Sequence, residues 1–119
     1  MVFNNTISHS GTGIGVYSNA VGPVANNLFV SNTVRDNLGN GITAGGYGHV
    51  PTKTSLGNIF ASNNLIDNGG HNGGQAEVHH GATSGDFWTG NSFVSRAGVP
   101  SYAGAEQRNS SSVVIFDPS

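Results

Sequence analysis

Short runs in which apolar and polar residues alternate recur along the chain, separated by turns rich in glycine and asparagine. Four of these runs align without gaps: VFNNTISHS (2–10), FVSNTVRDN (29–37), FASNNLIDN (60–68) and WTGNSFVSR (88–96). Because successive side chains of a strand point to opposite faces, the alternation predicts short β-strands with one buried face. No run shows the apolar period of a helix, so the pattern predicts an all-β fold.

Equivalent positions of the repeat form columns of one residue type. The asparagine column comprises Asn5, Asn32, Asn63 and Asn91, at spacings of 27, 31 and 28 residues. The apolar column beside it comprises Ile7, Val34, Leu65 and Phe93. A period near 30 without helices indicates a solenoid whose coils stack about 4.8 Å apart, so that each column becomes a ladder in space. We expect the apolar column inside and the asparagines at a bend, where Asn tolerates left-handed backbone.

Further columns follow in each repeat, and we expect about three short β segments per coil. GIGV (13–16), GITA (41–44) and AEVH (76–79) each come after a glycine-rich turn, which places Ile14, Ile42 and Val78 in a second inward ladder. The aromatic column is Phe29, Phe60 and Trp88. Stacking in the core is the plainer interpretation of these rings, and an exposed Trp88 acting as a platform for a sugar is the alternative.

The repeat resembles that of a known superfamily. The pattern N-x-[IV]-x-x-N followed by glycine-rich turns, as in NTVRDNLGNGI and NNLIDNGGHNGG, is similar to the right-handed parallel β-helix repeats of pectate-lyase-like proteins. The resemblance implies one domain over 1–119, a β-helix of about three to four coils over roughly 2–96, a long loop over 97–112 and a terminal strand over 113–116. Superfamily members include polysaccharide lyases, glycoside hydrolases, uronate epimerases and phage tailspikes, mostly secreted or surface-exposed.

The resemblance therefore implies a secreted, polysaccharide-interacting segment, first of all part of a polysaccharide lyase. A glycoside hydrolase segment and a non-enzymatic, tailspike-like or adhesin-like β-helix are the alternatives. A stack this short has open edges, which pair with other chains unless they are capped. We therefore expect further coils of a larger parent chain or a homo-oligomer, and favour a C-terminal fragment.

Composition narrows the choice of partners. The formal net charge is −2 and charged residues make up 8% of the chain, so we expect no nucleic acid partner. Cysteine is absent from the sequence, which excludes disulfides and thiolate metal sites. No apolar run approaches the roughly 20 residues of a membrane span, and residues 1–10 do not have the composition of a signal peptide.

The densest chemistry lies in AEVHHGATSGDFWTGN (76–91). If Val78 points inward, alternation sends Glu77 and His79 outward, beside the small residues Gly41 and Thr43 of the previous coil. This arrangement predicts a groove that binds a sugar. The simpler interpretation is an ordinary polar face exposed to solvent.

Two long turns, 45–57 and 69–75, are expected to flank this groove. A lyase needs a base for the C5 proton of a uronate, and a glycosidase needs two carboxylates, for which Glu77 could pair with Asp86 or Glu106. The candidate catalytic residues are Glu77, His79, His71 and Lys53. The candidate substrate-binding residues are Tyr47, His49, Thr43 and Trp88.

Two aspartates occupy one column, after the second aligned strand of their repeats. Asp36 and Asp67 should lie on adjacent coils, where two carboxylates repel unless a cation or a proton is shared. Calcium held by both is one hypothesis. The other is that each aspartate caps its own turn through a backbone hydrogen bond.

Overall fold

The computed structural model describes residues 1–16, 24–45, 55–70, 75–80, 83–84 and 86–104. These ranges contain fifteen short strands and no helix. The strands are β1 (Val2–Phe3), β2 (Thr6–Ser8), β3 (Ile14–Val16), β4 (Val24–Ala25), β5 (Leu28–Val30), β6 (Thr33–Arg35), β7 (Ile42–Ala44), β8 (Ser55–Leu56), β9 (Ile59–Ala61), β10 (Asn64–Ile66), β11 (Val78–His80), β12 (Thr83–Ser84), β13 (Phe87–Thr89), β14 (Ser92–Val94) and β15 (Tyr102–Gly104).

The strands form four parallel sheets, in which each strand pairs with the strand four places later. The first sheet is β1-β5-β9-β13, the second β2-β6-β10-β14, the third β3-β7-β11-β15 and the fourth β4-β8-β12. The all-β class with parallel strands is thus confirmed. Within the described residues the first three repeats each hold four strands rather than the three expected. The extra strands β4, β8 and β12 were not predicted because they have two residues each, too few to show alternation.

The apolar columns predicted from the repeat lie inside. Val34 pairs in register with Ile7 and with Leu65, and Leu65 pairs with Phe93. Ile42 pairs with Ile14 and with Val78 in the same way. All of these residues belong to the apolar core or pack against it. Both inward ladders are therefore confirmed.

The asparagine column is an internal ladder at the bend between the first and second sheets. The backbone N–H of Asn32 donates to Asn63 Oδ1 at 2.9 Å, and that of Asn63 donates to Asn91 Oδ1 at 2.9 Å. Asn5 donates to Asn32 Oδ1 at 3.0 Å and ends the ladder. The predicted ladder is confirmed, and each backbone N–H in it donates to the asparagine side chain of the next repeat.

Two further ladders of the same kind were not foreseen. At the bend after the second sheet, Ser10 N donates to Asn37 Oδ1 and Asn37 N to Asn68 Oδ1. At the bend before the first sheet, Asn27 N donates to Asn58 Oδ1 and Asn58 N to Asp86 Oδ1. The signal was in the sequence, since these residues recur at spacings of 27, 31 and 28 residues, as the first column does.

Left-handed backbone occurs at the residue before each ladder asparagine, and not at the asparagine itself. Ser31 and Ser62, for example, have φ of 56° ahead of Asn32 and Asn63. The other residues of this kind at the three bends are Asn4, His9, Asn26, Asp36, Gly57, Asp67 and Gly90. The expectation that the ladder asparagines themselves supply the left-handed turn is therefore wrong. The role of these asparagines is to supply side-chain amides that form hydrogen bonds with neighbouring repeats.

The loop expected over 97–112 contains a strand. β15 pairs with β11 in parallel and extends the third sheet. Just before it, Glu77 N donates to Pro100 O at 3.0 Å and Val78 N to Ser101 O at 2.9 Å. The repeat pattern thus continues past residue 96, whereas the strand expected over 113–116 lies outside the described residues.

Candidate functional site

Glu77 is buried and tied into a ladder, so its predicted outward position is wrong. Its side chain is fully buried. Asn68 donates to it twice, from the backbone N to Oε1 at 3.2 Å and from Nδ2 to Oε2 at 2.5 Å. Alternation failed here because Glu77 lies in the bend before β11 and not on the strand, so the inward direction of Val78 says nothing about its neighbour.

The positions equivalent to Glu77 in the two earlier repeats are glycines, for a steric reason. A Cβ on Gly41 would lie 2.8 Å from Asn68 Nδ2 and 2.7 Å from Glu77 O. A Cβ on Gly13 would lie 2.9 Å from Asn37 Nδ2. In those repeats the ladder amide occupies the space beside the backbone, which leaves no room for a side chain.

In the fourth repeat the ladder position holds Arg96 in place of asparagine. Arg96 turns to the surface, where its Nε and Nη2 donate to Asp67 O at 2.8 and 2.6 Å. The Glu77 carboxylate accepts from Asn68, as the next asparagine would have done. Two substitutions, glycine to glutamate and asparagine to arginine, therefore end this ladder together.

Burial dominates the electrostatics of Glu77. Loss of hydration raises the pKa of its carboxyl above the ordinary value, because the charged form is the one that burial penalises. The hydrogen bonds from Asn68 act in the opposite direction and favour the carboxylate. Asp67 raises the pKa further, and Arg96 lowers it. A carboxylate held in this way has both oxygens committed to hydrogen bonds within the fold.

Thr43 and His79 are neighbours in the third sheet, but they do not line an open groove. His79 on β11 pairs in register with Thr43 on β7 and is half-buried. Thr43 is only 1% exposed, and its Oγ1 accepts from Asn40 Nδ2 at 3.0 Å. Asn40 also accepts from Ala76 N at 2.9 Å. The prediction of Thr43 as a substrate contact on a free surface is therefore wrong, since its hydroxyl already serves the fold.

Trp88 belongs to the core. Its ring stacks on Phe60 with centroids 3.9 Å apart, and Phe60 stacks on Phe29 at 4.8 Å. Trp88 is 1% exposed, so it offers no platform to a sugar. The interpretation that the aromatic column stacks in the core is confirmed. The prediction that Trp88 binds substrate is wrong, because its side chain points to the inner face of β13 and the ring is buried.

Asp36 and Asp67 do not fit a calcium site. Arg35 Nε lies 2.7 Å from Asp36 Oδ2, and this hydrogen bond lowers the pKa of Asp36. Arg96 Nη2 lies 3.9 Å from the other oxygen of Asp36. Two guanidinium groups thus already lie beside the Asp36 carboxylate, where they supply positive charge in place of a cation. Within the described ranges, no three His, Cys, Asp or Glu side chains come close enough together to hold a metal.

The remaining predicted site residues lie outside the described residues. They are Tyr47, His49, Lys53 and His71.

Sequence reasoning missed an exposed surface on the outer side of the first two sheets, which we call the amphipathic face. On the first sheet it carries Phe3, Leu28, Val30, Ile59, Ala61, Phe87 and Thr89. On the second sheet it carries the polar column Thr6, Thr33, Asn64 and Ser92. Phe87 is 47% exposed and Ile59 40%. The sequence feature that could have shown this surface is the apolar column one residue before the aromatic column. Because the aromatic column points inward, alternation along the strand places that apolar column on the outer face.

Comparison with known proteins yields no relative: no protein-family model, curated protein or solved structure matches this chain. Among the described residues there is also no helix of the length and hydropathy needed to cross a membrane.

Proposed function

We propose that the protein is a right-handed parallel β-helix whose amphipathic face binds a polysaccharide, as a non-enzymatic segment. Regular pairing of every strand with the fourth one after it supports the solenoid, and right-handed crossovers are the rule between parallel strands. The resemblance to pectate-lyase-like repeats supports the class of ligand and a secreted or cell-surface location.

The observation that carries the binding proposal is the pairing of an apolar column with a polar one. Leu28, Ile59 and Phe87 are in register on adjacent strands of the first sheet. Ala61 and Thr89 end these strands, and past the two-residue bend that follows them Asn64 and Ser92 are both exposed. Ser92 Oγ donates to Asn64 Oδ1 at 2.6 Å. Sugars have apolar C–H faces and hydroxyl edges, which match apolar side chains beside amides and hydroxyls.

Repetition favours a polymer over a single sugar. Adjacent strands are about 4.8 Å apart, so the same pair of columns is presented again at each repeat. A linear polysaccharide lying along the columns would contact several repeats at once, and weak contacts of this kind add through multivalency.

A binding role suits the described carboxylates better than catalysis does. Glu77 and Asp86 both accept ladder N–H groups, at 3.2 and 2.8 Å from the donor nitrogens. Neither is placed as one of two carboxylates flanking a glycosidic bond. Among the predicted bases, His79 lies in the described part of the chain, half-buried beside Thr43.

Isothermal titration with polygalacturonate and with a neutral glucan tests the proposal. We expect wild type to bind one of them and Phe87→Ala to bind about tenfold more weakly, equivalent to about 1.4 kcal/mol. Leu38→Ala is the matched control, because Leu38 is also exposed, at 52%, but lies off the amphipathic face.

Two results would contradict the proposal. Equal affinity of Phe87→Ala and wild type would remove the amphipathic face as the binding site. Release of unsaturated uronate by wild type, lost in His79→Ala, would make the protein a lyase instead.

A further inference from the structure

Every side chain that defines the amphipathic face is uncharged. On the second sheet the face consists of three hydroxyl groups and one amide, and on the first sheet it is apolar apart from Thr89. A carboxylate lying against such a surface would lose hydration and gain no opposite charge from it. The composition of the face therefore favours a ligand without charge.

The arginine that borders this face, Arg35, is already paired with a carboxylate. It lies two residues after Thr33 on β6, so about 6–7 Å separates the two Cα atoms. Its Nε donates to Asp36 Oδ2 at 2.7 Å, and both side chains are partly exposed. A carboxylate on a ligand would have to compete with Asp36 for this guanidinium group.

Positive charge is also not repeated from strand to strand beside the face. The positions in register with Arg35 on the second sheet hold Ser8, Ile66 and, one strand further, Val94. A uronate polymer carries a carboxylate on every sugar, so several of its charges would meet this column at once. The column offers a cation at one of its four positions, which does not match a repeating anion.

Arg96, the other arginine of the described ranges, is also engaged within the fold. Its Nε and Nη2 donate to Asp67 O, and Nη2 lies 3.9 Å from Asp36 Oδ1. The formal charges of the two arginines and of Asp36 and Asp67 cancel. The whole chain has a formal net charge of −2, so its overall field repels a polyanion.

The polar column of the face matches hydroxyl groups in its hydrogen bonding. The hydroxyls of Thr33 and Ser92 and the amide of Asn64 can each donate and accept. Sugar hydroxyls also do both, whereas a carboxylate only accepts. Hydroxyl-rich sugars without acidic groups can therefore satisfy both kinds of group in this column.

We propose that the polymer bound by the amphipathic face is a neutral polysaccharide, whose sugars carry hydroxyls and no carboxylate, sulfate or phosphate. The inference rests on the proposed function, because it concerns the ligand of the same face. The C–H faces of the sugars lie on Leu28, Ile59 and Phe87, and their hydroxyls point to the polar column. Acidic polysaccharides bind more weakly, since their charges lose hydration there without gaining a partner.

Two soluble polymers with one backbone and different charge test the inference by isothermal titration: hydroxyethyl cellulose, which is neutral, and carboxymethyl cellulose. We expect wild type to bind hydroxyethyl cellulose at least about tenfold more tightly than carboxymethyl cellulose or polygalacturonate, equivalent to about 1.4 kcal/mol. Raising the salt from about 0.1 to 1 M shortens the screening length from about 10 to 3 Å and should change the affinity for hydroxyethyl cellulose by less than about twofold.

On the protein side, Phe87→Ala should weaken binding of hydroxyethyl cellulose about tenfold, whereas Arg35→Gln should leave it within about twofold. Circular dichroism and the fluorescence of Trp88 report whether each variant is folded.

The outcomes separate this inference from the proposed function. If carboxymethyl cellulose or polygalacturonate binds as tightly as hydroxyethyl cellulose or more tightly, and Phe87→Ala weakens that binding, the face binds a polysaccharide but the inference of a neutral ligand is overturned. A loss of hydroxyethyl cellulose binding in Arg35→Gln as large as in Phe87→Ala would overturn it too, by placing a charge in the site. If none of the three polymers binds, the proposed function fails and the inference fails with it.

Discussion

A buried asparagine such as Asn63 satisfies three other residues at once. Its backbone N donates to Asn91, its Nδ2 donates to Phe29 O, and its Oδ1 accepts from Asn32 N and Nδ2. Truncation to alanine leaves the buried N–H of Asn32 without its acceptor. Such orphaned groups are the expensive part of a lost hydrogen bond.

We therefore expect Asn63→Ala to lower the free energy of unfolding by about 1–3 kcal/mol, measured by urea denaturation. Asn64→Ala is the matched control, since Asn64 is the next residue and is exposed. Its effect should be within about 0.5 kcal/mol, as for ordinary surface substitutions. Equal effects of the two substitutions would mean that the ladder stabilises the fold no more than a surface amide does.

Glu77 makes a separate prediction about pH. Because its folded-state pKa is raised above the ordinary value of 4.5, the folded state holds the proton more tightly than the unfolded state. Its contribution to stability is then fully present below pH 4.5 and is lost as the pH rises through the folded-state pKa. Glu77→Gln removes the titration while keeping the shape.

Urea unfolding of wild type and Glu77→Gln across pH 4 to 8 would measure this difference (a range of about 4 units around the ordinary carboxyl pKa). We expect the stability of wild type relative to the variant to fall as the pH rises. A difference that stays constant with pH would show that Glu77 has the same pKa in both states. A difference that grows with pH would show that the Asn68 hydrogen bonds outweigh burial.

At the scale of elements, the glycines that precede β3 and β7, Gly13 and Gly41, set how closely the ladder side chains approach the third sheet. Gly41→Ala should destabilise the fold by about 1–3 kcal/mol, as overpacking does, because the added methyl group meets Asn68 Nδ2 at 2.8 Å and Glu77 O at 2.7 Å. Gly11→Ala is the matched control, since a Cβ there meets nothing within 4 Å. Thermal unfolding of both variants measures the contrast. Two equal shifts would mean that steric fit at Gly41 is not what selects glycine.

Strand columns could be predicted because burial of one face forces apolar residues into fixed positions of every repeat. Val34 and Leu65 had to align, and they do. Strands of two residues, such as β4, are too short for a period to show. The direction of Glu77 could not be predicted either, because alternation holds along a strand and fails at the bend before it.

The site was less predictable than the fold for a physical reason. The sequence shows that a residue is titratable, but it does not show whether the side chain faces solvent or ends a hydrogen-bonded ladder. For Glu77, only the residues at the equivalent positions of the other repeats distinguish these two cases. Asparagine gives way to Arg96 in the last repeat, and glycine gives way to Glu77 itself. That paired exchange is visible in the sequence once the ladder is known.

At the scale of the whole molecule, the ladders give the protein two unlike ends. The backbone N–H groups of the ladder residues point from each repeat towards later residues, and the Asp86 and Glu77 carboxylates accept the last of them in two of the three ladders. The direction of these N–H groups therefore gives the stack of repeats a polarity along its axis.

The corner between the third and fourth sheets varies in length from repeat to repeat. Between Val16 and Val24 the chain has seven residues, between Ala44 and Ser55 ten, and between His80 and Thr83 two. Pairing between the flanking strands is parallel and in register in spite of this variation. Because the flanking strands keep their register at all three lengths, sequence can be gained or lost there without shifting the strands on either side. Such a corner is where natural variation would diversify first, and where a foreign recognition loop could be grafted at least cost to folding.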